Sequence, residues 1–73
     1  METLQRKFGR VIRRRRQAAS LSQEALADRA RLHRTYISLL ERGQRMPSIG
    51  VVQQLANALE TTMASIMDEL END

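Results

Sequence analysis

Six consecutive residues, 34–39 (RTYISL), carry side chains that could contact a nucleic acid. The forked guanidinium of Arg34 can donate two hydrogen bonds to O6 and N7 of guanine, or contact a phosphate. Thr35 and Ser38 offer hydroxyl groups to a base or a phosphate. Tyr36 can stack or donate to a phosphate, although its ring could equally fill the space between two helices. Leu39 can meet only a thymine methyl group or a sugar edge.

A short helix must present these side chains, and apolar residues within it define its inner face. Ile37, Leu40 and Glu41 recur at helical spacing and predict a face that points inward. Gly43 supplies the left-handed conformation that ends helices at low cost. The helix is therefore expected from about residue 33 or 34 to residue 42. Its outer face would carry the predicted base-reading residues, which are Arg34, Thr35, Tyr36, Ser38 and Leu39.

A second short helix precedes this one in the sequence. Ser22 can cap it by accepting a hydrogen bond from a free backbone N–H, and Gln23 and Glu24 suit its first turn. The pattern predicts a helix from Gln23 to Arg29. Ala25 has a small side chain, so that another helix can cross this helix at close distance. Two short amphipathic helices separated by a few residues are a helix-turn-helix pattern.

Residues 21–43 (LSQEALADRARLHRTYISLLERG) resemble the helix-turn-helix of the phage-repressor (XRE) family. RTYIS at residues 34–38, followed by ERG at residues 41–43, is similar to the restriction-modification controller proteins within that family. The resemblance extends from Phe8 to Leu70. It implies an all-α, five-helix, lambda-repressor-like DNA-binding domain, formed by residues 1–73 as a single domain.

The same resemblance implies a sequence-specific transcription regulator. Such a protein binds double-stranded DNA as a homodimer, on a palindromic (inverted-repeat) operator, with half-sites about one helical turn apart. A controller protein of a restriction-modification system is the leading interpretation. The alternatives are a general XRE-type or phage repressor, and an antitoxin that represses its own operon. A non-specific basic module that coats nucleic acid or an anionic membrane is a further alternative.

The resemblance also assigns roles to residues outside the 34–39 segment. Arg16 occupies the position of an arginine that pairs with the glutamate of the ERG motif, here Glu41, although a DNA contact is the alternative. Gln23 heads a helix whose free N–H groups and positive dipole end favour a phosphate. The predicted phosphate-binding residues are Gln23, His33, Arg42, Gln44 and Arg45, of which His33 is expected either to cap a helix or to lie near a phosphate. Contacts of this kind supply affinity without sequence information.

Three residues depart from glycines that the family usually has at the ends of helices. These residues are Ser20, Arg31 and Glu60. A residue other than glycine costs roughly 1 kcal/mol in the left-handed region. The departures do not change the expected fold.

The first predicted helix spans residues 2–19 and has an apolar stripe of Leu4, Phe8, Val11, Ile12 and Ala19. The four arginines at residues 13–16 are spread around a full turn of this helix, so they do not imply one basic surface. We expect Arg10, Arg13 and Arg14 to be solvated or to lie near phosphate.

Two more helices complete the pattern. Ser48 can cap a fourth helix that runs to about Leu59. A last helix is expected at about residues 62–70. Its apolar residues exceed what one short helix needs for docking on its own domain, so they predict a dimer interface, with packing within the chain as the alternative. The predicted interface residues are Met63, Ile66, Met67 and Leu70.

The charge of the chain is unevenly distributed. All twelve basic residues and four of the nine acidic residues lie in residues 1–45, a net charge of +8, while residues 46–73 hold five acids and no base. The first part suits a polyanion such as DNA. RNA polymerase is a second expected partner, through Glu24, Asp28 or Arg29.

Several classes of protein do not fit the composition. The chain has no cysteine, one histidine and no nucleophile–histidine–acid set, so neither an enzyme nor a metal or cofactor site is expected. No apolar stretch approaches the roughly 18 residues of a membrane span. We therefore expect a cytoplasmic, nucleoid-associated protein.

A chain of 73 residues has a small core that gives only a few kcal/mol of net stability, which favours a homodimer.

Overall fold

Five α-helices joined by short connections make up the part of the chain that the computed structural model describes, residues 2–73. The helices are α1 (Leu4–Ala18), α2 (Gln23–Ala30), α3 (Arg34–Glu41), α4 (Ile49–Ala58) and α5 (Met63–Glu71). Residues 2–73 contain no strand, and the predicted all-α, five-helix fold is confirmed. The predicted boundaries differ from these by one or two residues. No helix in this part of the chain has both the length and the apolar character needed to cross a membrane.

Each helix begins at a side chain that accepts a hydrogen bond from a free backbone N–H of the first turn. The five N-cap residues are Thr3, Ser22, His33, Ser48 and Thr62. His33 is the unusual member, because it caps α3 through an imidazole nitrogen. Its Nδ1 accepts a hydrogen bond from the backbone N–H of Thr35 at 3.2 Å. The helix that carries the predicted base-reading residues therefore starts at a fixed point.

Left-handed residues end several of the helices. Ser20, Arg31 and Glu60 have φ values of 58°, 58° and 56°, and Gly43 has a φ of 74°. The N–H of the residue after each donates to a carbonyl five residues back, as from Leu32 to the Ala27 oxygen at 2.9 Å. These bonds satisfy carbonyls that the helix leaves free. The three positions other than glycine cost roughly 1 kcal/mol each, because their Cβ atoms are crowded.

The core is assembled from all five helices. α1 packs against α3 and α5, α2 packs against α3 and α4, and α4 packs against α5. The largest fully buried side chains are Val11, Ile12, Leu26, Ile37, Leu40, Leu55 and Ile66. Two residues of the predicted apolar stripe of α1 lie outside this core, because Leu4 is 53% exposed and Ala19 is exposed after the end of the helix.

The last helix uses its apolar residues differently from the prediction. Ile66 is fully buried and Leu70 is 9% exposed, and both pack in the core of their own protomer. The prediction that Ile66 contributes to a dimer interface is therefore wrong, because its side chain has no exposed surface. Leu70 packs in the core too, but together with Met67 it also borders an apolar groove at the surface. Met63 and Met67 are half-buried at the edge of the core and keep exposed surface.

Candidate nucleic-acid interface

The N-terminal end of α3 projects its side chains into solvent. Arg34 and Thr35 are exposed there, directly after the cap formed by His33. Ser38 and Leu39 lie further along the helix and are half-buried. Ile37 and Leu40, on the opposite side, are fully buried and hold the helix against the core. An exposed, capped and anchored helix end is the geometry that fits a DNA major groove.

The side chain of Tyr36 packs against the core on one side and stays accessible to solvent on the other. The residue is half-buried and packs against the core, and the guanidinium carbon of Arg45 lies 5.8 Å from the centroid of its ring. A cation at this distance from an aromatic face is attracted to it. The contact ties the loop after α3 to the recognition helix, so that Tyr36 and Arg45 present one joint surface.

An ion pair anchors the C-terminal end of α3 to α1. Nε of Arg16 donates to Oε2 of Glu41 at 2.6 Å, and Nη2 donates to Oε1 at 3.0 Å. The side chains are 12% and 3% exposed. The hydrogen bonds to Glu41 raise the pKa of the Arg16 guanidinium above its ordinary value. Arg16 is thus occupied within the protein, in the structural role that the resemblance implied.

The same ion pair extends to the start of α2. Nη1 of Arg16 donates to the Leu21 carbonyl at 2.8 Å, and Nε2 of Gln23 donates to Oε1 of Glu41 at 3.1 Å. One carboxylate therefore connects three helices. Because Gln23 is held in this way, its backbone N–H at the start of α2 has a fixed position, beside an open cleft of about 640 Å³ whose edge includes Arg34.

The other predicted phosphate-binding residues lie around the end of α3. Arg42, Gln44 and Arg45 are exposed, and Nε of Arg42 donates to the Ser38 carbonyl at 3.3 Å. His33 is also exposed, at the opposite end of the helix. Polar groups thus border the recognition helix at both ends. Backbone-binding groups occupy such positions when a helix enters a groove.

Comparison with known proteins identifies the family. The family described as "Helix-turn-helix" matches residues 12–66. Control protein C.BamHI from Bacillus amyloliquefaciens is 40% identical over 62 residues, which is 84% of this chain and 76% of that protein. The restriction-modification controller protein C.AhdI from Aeromonas hydrophila superposes with a TM-score of 0.83 at 40% identity, over 85% of this chain and 94% of that one. The chain belongs to the restriction-modification controller family of helix-turn-helix proteins.

A further controller protein has been solved on DNA. The C.Esp1396I tetramer in complex with its natural 35 base-pair operator is 30% identical, with a TM-score of 0.89, over 99% of this chain and 95% of that one. The predicted resemblance and the predicted function class are both confirmed: this controller-family chain is a DNA-binding transcription regulator.

Two structural residues of this controller-family chain are not evident from the sequence patterns. Arg15 joins α1 to α5, because its Nε donates to Oε1 of Glu69 at 2.5 Å and its Nη2 donates to Oγ of Ser65 at 2.9 Å. Gly9 lets α1 approach the last turn of α3, since a Cβ there would overlap the Leu40 oxygen and lie 2.7 Å from the Glu41 oxygen. A glycine within an otherwise regular amphipathic helix was the one available signal for that close approach.

Proposed function

We propose that this protein is the controller of a restriction-modification system that binds an inverted-repeat operator as a homodimer. Each protomer would insert the N-terminal end of α3 into a major groove, with the two grooves about one helical turn apart. The observation that carries the proposal is the exposure of Arg34 and Thr35 at the capped end of a helix anchored by Glu41. The operator complex of C.Esp1396I, a relative of 30% identity, supports it.

In this proposal the recognition helix divides base reading among several residues. Arg34 donates two hydrogen bonds to a guanine, and Thr35 contacts the neighbouring base or its phosphate. Tyr36, supported by Arg45, contributes its hydroxyl group or ring. Ser38 and Leu39 contribute smaller contacts, because both are half-buried. The weight of sequence recognition therefore falls on the first turn of α3.

Phosphate contacts would fix the protein on the duplex. Gln23 approaches one backbone from the start of α2, where the free N–H groups and the helix dipole attract a phosphate. The remaining contacts come from His33, Arg42, Gln44 and Arg45, which are exposed around α3. These groups would bind any duplex of suitable shape.

We propose a dimer surface that shares Met67 and Leu70 with the one the sequence patterns indicated and adds residues from outside the last helix. Among residues 2–73, the exposed large apolar side chains are those of Leu4, Met46 and Ile49, with exposed fractions of 53%, 54% and 75%. They border one apolar groove of about 160 Å³, to which Met67 and Leu70 also contribute. Contiguous exposed apolar residues mark association sites in soluble proteins. A second copy of the chain, related by a two-fold axis, would cover this groove.

Regulation would depend on where the dimer binds. A dimer over a promoter element blocks RNA polymerase, and one placed upstream could recruit it through Glu24, Asp28 or Arg29, whose side chains are exposed on α2. We propose that the protein acts in the cytoplasm on nucleoid DNA. Its operator occupancy would follow its own concentration through the dimer equilibrium.

Replacing Arg34 by alanine tests the proposed function. The variant should bind an inverted-repeat duplex, selected from a random pool with the wild-type protein, about 10- to 100-fold more weakly per half-site, because one bidentate contact to a base contributes roughly 1 to 3 kcal/mol of discrimination. Fluorescence anisotropy titrations with the selected duplex and a scrambled duplex measure both affinities.

The matched control is Arg34→Lys, which keeps the positive charge and loses the forked geometry. It should bind the scrambled duplex like the wild type and lose most of the preference for the selected one. Equal losses on both duplexes for Arg34→Ala would contradict the base-reading role. A wild-type protein that selects no duplex would contradict the function itself.

Replacing Ile49 by glutamate tests the dimer surface. A carboxylate at this position would have to be desolvated in an apolar interface, so the dimer dissociation constant should rise by about 30-fold or more, equivalent to about 2 kcal/mol. Sedimentation equilibrium measures the change. The fold of the protomer should survive, because Ile49 is 75% exposed. Gln17→Glu, an exposed change of equal charge on α1, is the control and should leave the constant unaltered.

A further inference from the structure

The arginines of α1 differ in whether a carboxylate neutralises them. Four of them are held by acidic side chains: Arg10, Arg14, Arg15 and Arg16. Arg10 and Arg14 both reach Asp73, and their hydrogen bonds lower the pKa of that carboxyl to about 2. Arg6 and Arg13 are exposed, and no carboxylate among residues 2–73 lies within 4 Å of their guanidinium nitrogens.

These two arginines face one concavity. It has a volume of about 420 Å³ and lies between α1 and the turn after α3. Four arginines line it, Arg6, Arg10, Arg13 and Arg42, and Gln44 contributes an amide. Two carboxylates also reach it: Glu2 is engaged by Arg10, and Glu41 is engaged by Arg16. The guanidinium groups of Arg6, Arg13 and Arg42 therefore share an open space without a counter-charge of their own in the described residues.

The packing of α1 fixes this concavity next to the recognition helix. Arg6, Gly9 and Arg13 lie three and four residues apart, on the side of α1 that faces the end of α3. Gly9 brings this side within van der Waals contact of the carbonyls that end α3. The aliphatic part of the Arg6 side chain lies over Gly43. A Cβ added to Gly43 would be 2.6 Å from Cγ of Arg6. Arg6 and Arg13 thus adjoin Arg42 and the loop after α3.

We propose that Arg6 and Arg13 bind phosphates of the operator DNA, in the concavity that they share with Arg42 and Gln44. This inference rests on the proposed function and extends its backbone contacts from α3 to α1. A phosphodiester suits the site because guanidinium groups donate charge-assisted hydrogen bonds to its oxygens, and because a bound anion relieves the repulsion among like charges. The exposed position beside the recognition helix favours the duplex that the helix enters.

The experiment combines duplexes in which one phosphate is uncharged with protein variants in which one arginine is replaced by uncharged glutamine. A selected operator duplex is prepared as a series in which one phosphate at a time is replaced by a methylphosphonate, which carries no charge. Binding of each duplex is measured for the wild type, Arg6→Gln, Arg13→Gln and the control Arg14→Gln. The control removes the same charge from the same helix, at an arginine that Glu69 and Asp73 already neutralise. Salt titrations on the unmodified duplex accompany the series.

We expect at least one methylphosphonate position that weakens the wild type and Arg14→Gln about threefold or more and leaves Arg6→Gln or Arg13→Gln unchanged. The slope of log affinity against log salt should fall by about 1 for every phosphate that the variant no longer binds, and the ratio of operator to scrambled affinity should stay constant. Far-ultraviolet circular dichroism establishes that each variant is folded.

Two results would overturn the inference while leaving the proposed function intact. One is that every methylphosphonate weakens the arginine variants as much as the wild type. The other is that Arg14→Gln loses as much salt dependence as Arg13→Gln, which would reduce the effect to net charge. A wild-type protein that binds operator and scrambled duplexes equally would instead overturn the proposed function, and this inference with it.

Discussion

Replacing Glu41 by glutamine is expected to lower the free energy of unfolding by about 3 to 5 kcal/mol. The substitution leaves the Arg16 guanidinium in a site where it is only 12% exposed, without the carboxylate that accepts two of its hydrogen bonds. A charge stranded in this way costs far more than the intact pair contributes. The glutamine keeps one acceptor oxygen, for which Arg16 and Gln23 would compete. Urea denaturation, followed by circular dichroism at one fixed protein concentration, measures the loss.

Glu2→Gln is the matched control, because the same chemical change is made in an exposed pair. Glu2 and its partner Arg10 have side chains that are 39% and 45% exposed, so this variant should lose far less stability than Glu41→Gln. The double variant Arg16→Met/Glu41→Leu replaces the pair by apolar groups and should be more stable than Glu41→Gln. A double variant that is less stable than the single one would contradict the stranded-charge explanation.

Replacing Gly9 by alanine should cost about 3 kcal/mol of stability, despite the higher helix propensity of alanine. The added Cβ would overlap the Leu40 oxygen and lie 2.7 Å from the Glu41 oxygen. Backbone atoms cannot rotate aside as a flexible side chain can, so α1 must move away from α3. Thermal and urea denaturation measure the effect, and DNA binding should weaken in parallel because the recognition helix is anchored through the same contact.

Gly50→Ala provides the comparison within the same chain. Gly50 is also helical, in α4, but a Cβ there would meet nothing closer than the Ser48 hydroxyl oxygen at 3.8 Å. This variant should be unchanged or more stable by up to about 1 kcal/mol, since only the propensity difference remains. Equal stability of the Gly9 and Gly50 variants would show that α1 and α3 are not in the close contact described.

Local patterns in the sequence were sufficient to predict the helices and several of their ends. Ser22 and Ser48 precede apolar periodicity and do cap α2 and α4. Ser20, Arg31 and Glu60 occupy positions where the resembled family has glycine, and all three are left-handed. Each of these features depends on residues within one or two turns, which is why one sequence reveals them.

Features that depend on distant residues were harder to predict. The apolar spacing of α5 does not distinguish a side chain that docks on its own domain from one that faces a partner. Ile66 is fully buried and Met67 is half-buried, although both belong to the same stripe. Likewise, the pairing of Arg15 with Glu69, 54 positions later, follows from how α1 meets α5. The hydrogen bonds from Arg10 to Asp73 and from Arg14 to Glu69 depend on the same packing of α1 against α5.

The three left-handed residues at Ser20, Arg31 and Glu60 bear on the lifetime of the protein in a cell. Together they cost roughly 3 kcal/mol, which is as large as the net stability that a chain of this size ordinarily has. A protomer without a partner would therefore be unfolded for a larger fraction of time than a protomer in the proposed dimer. Proteases cleave unfolded chains, so turnover would fall as the protein accumulates, and slow degradation would reinforce a high level once it is reached.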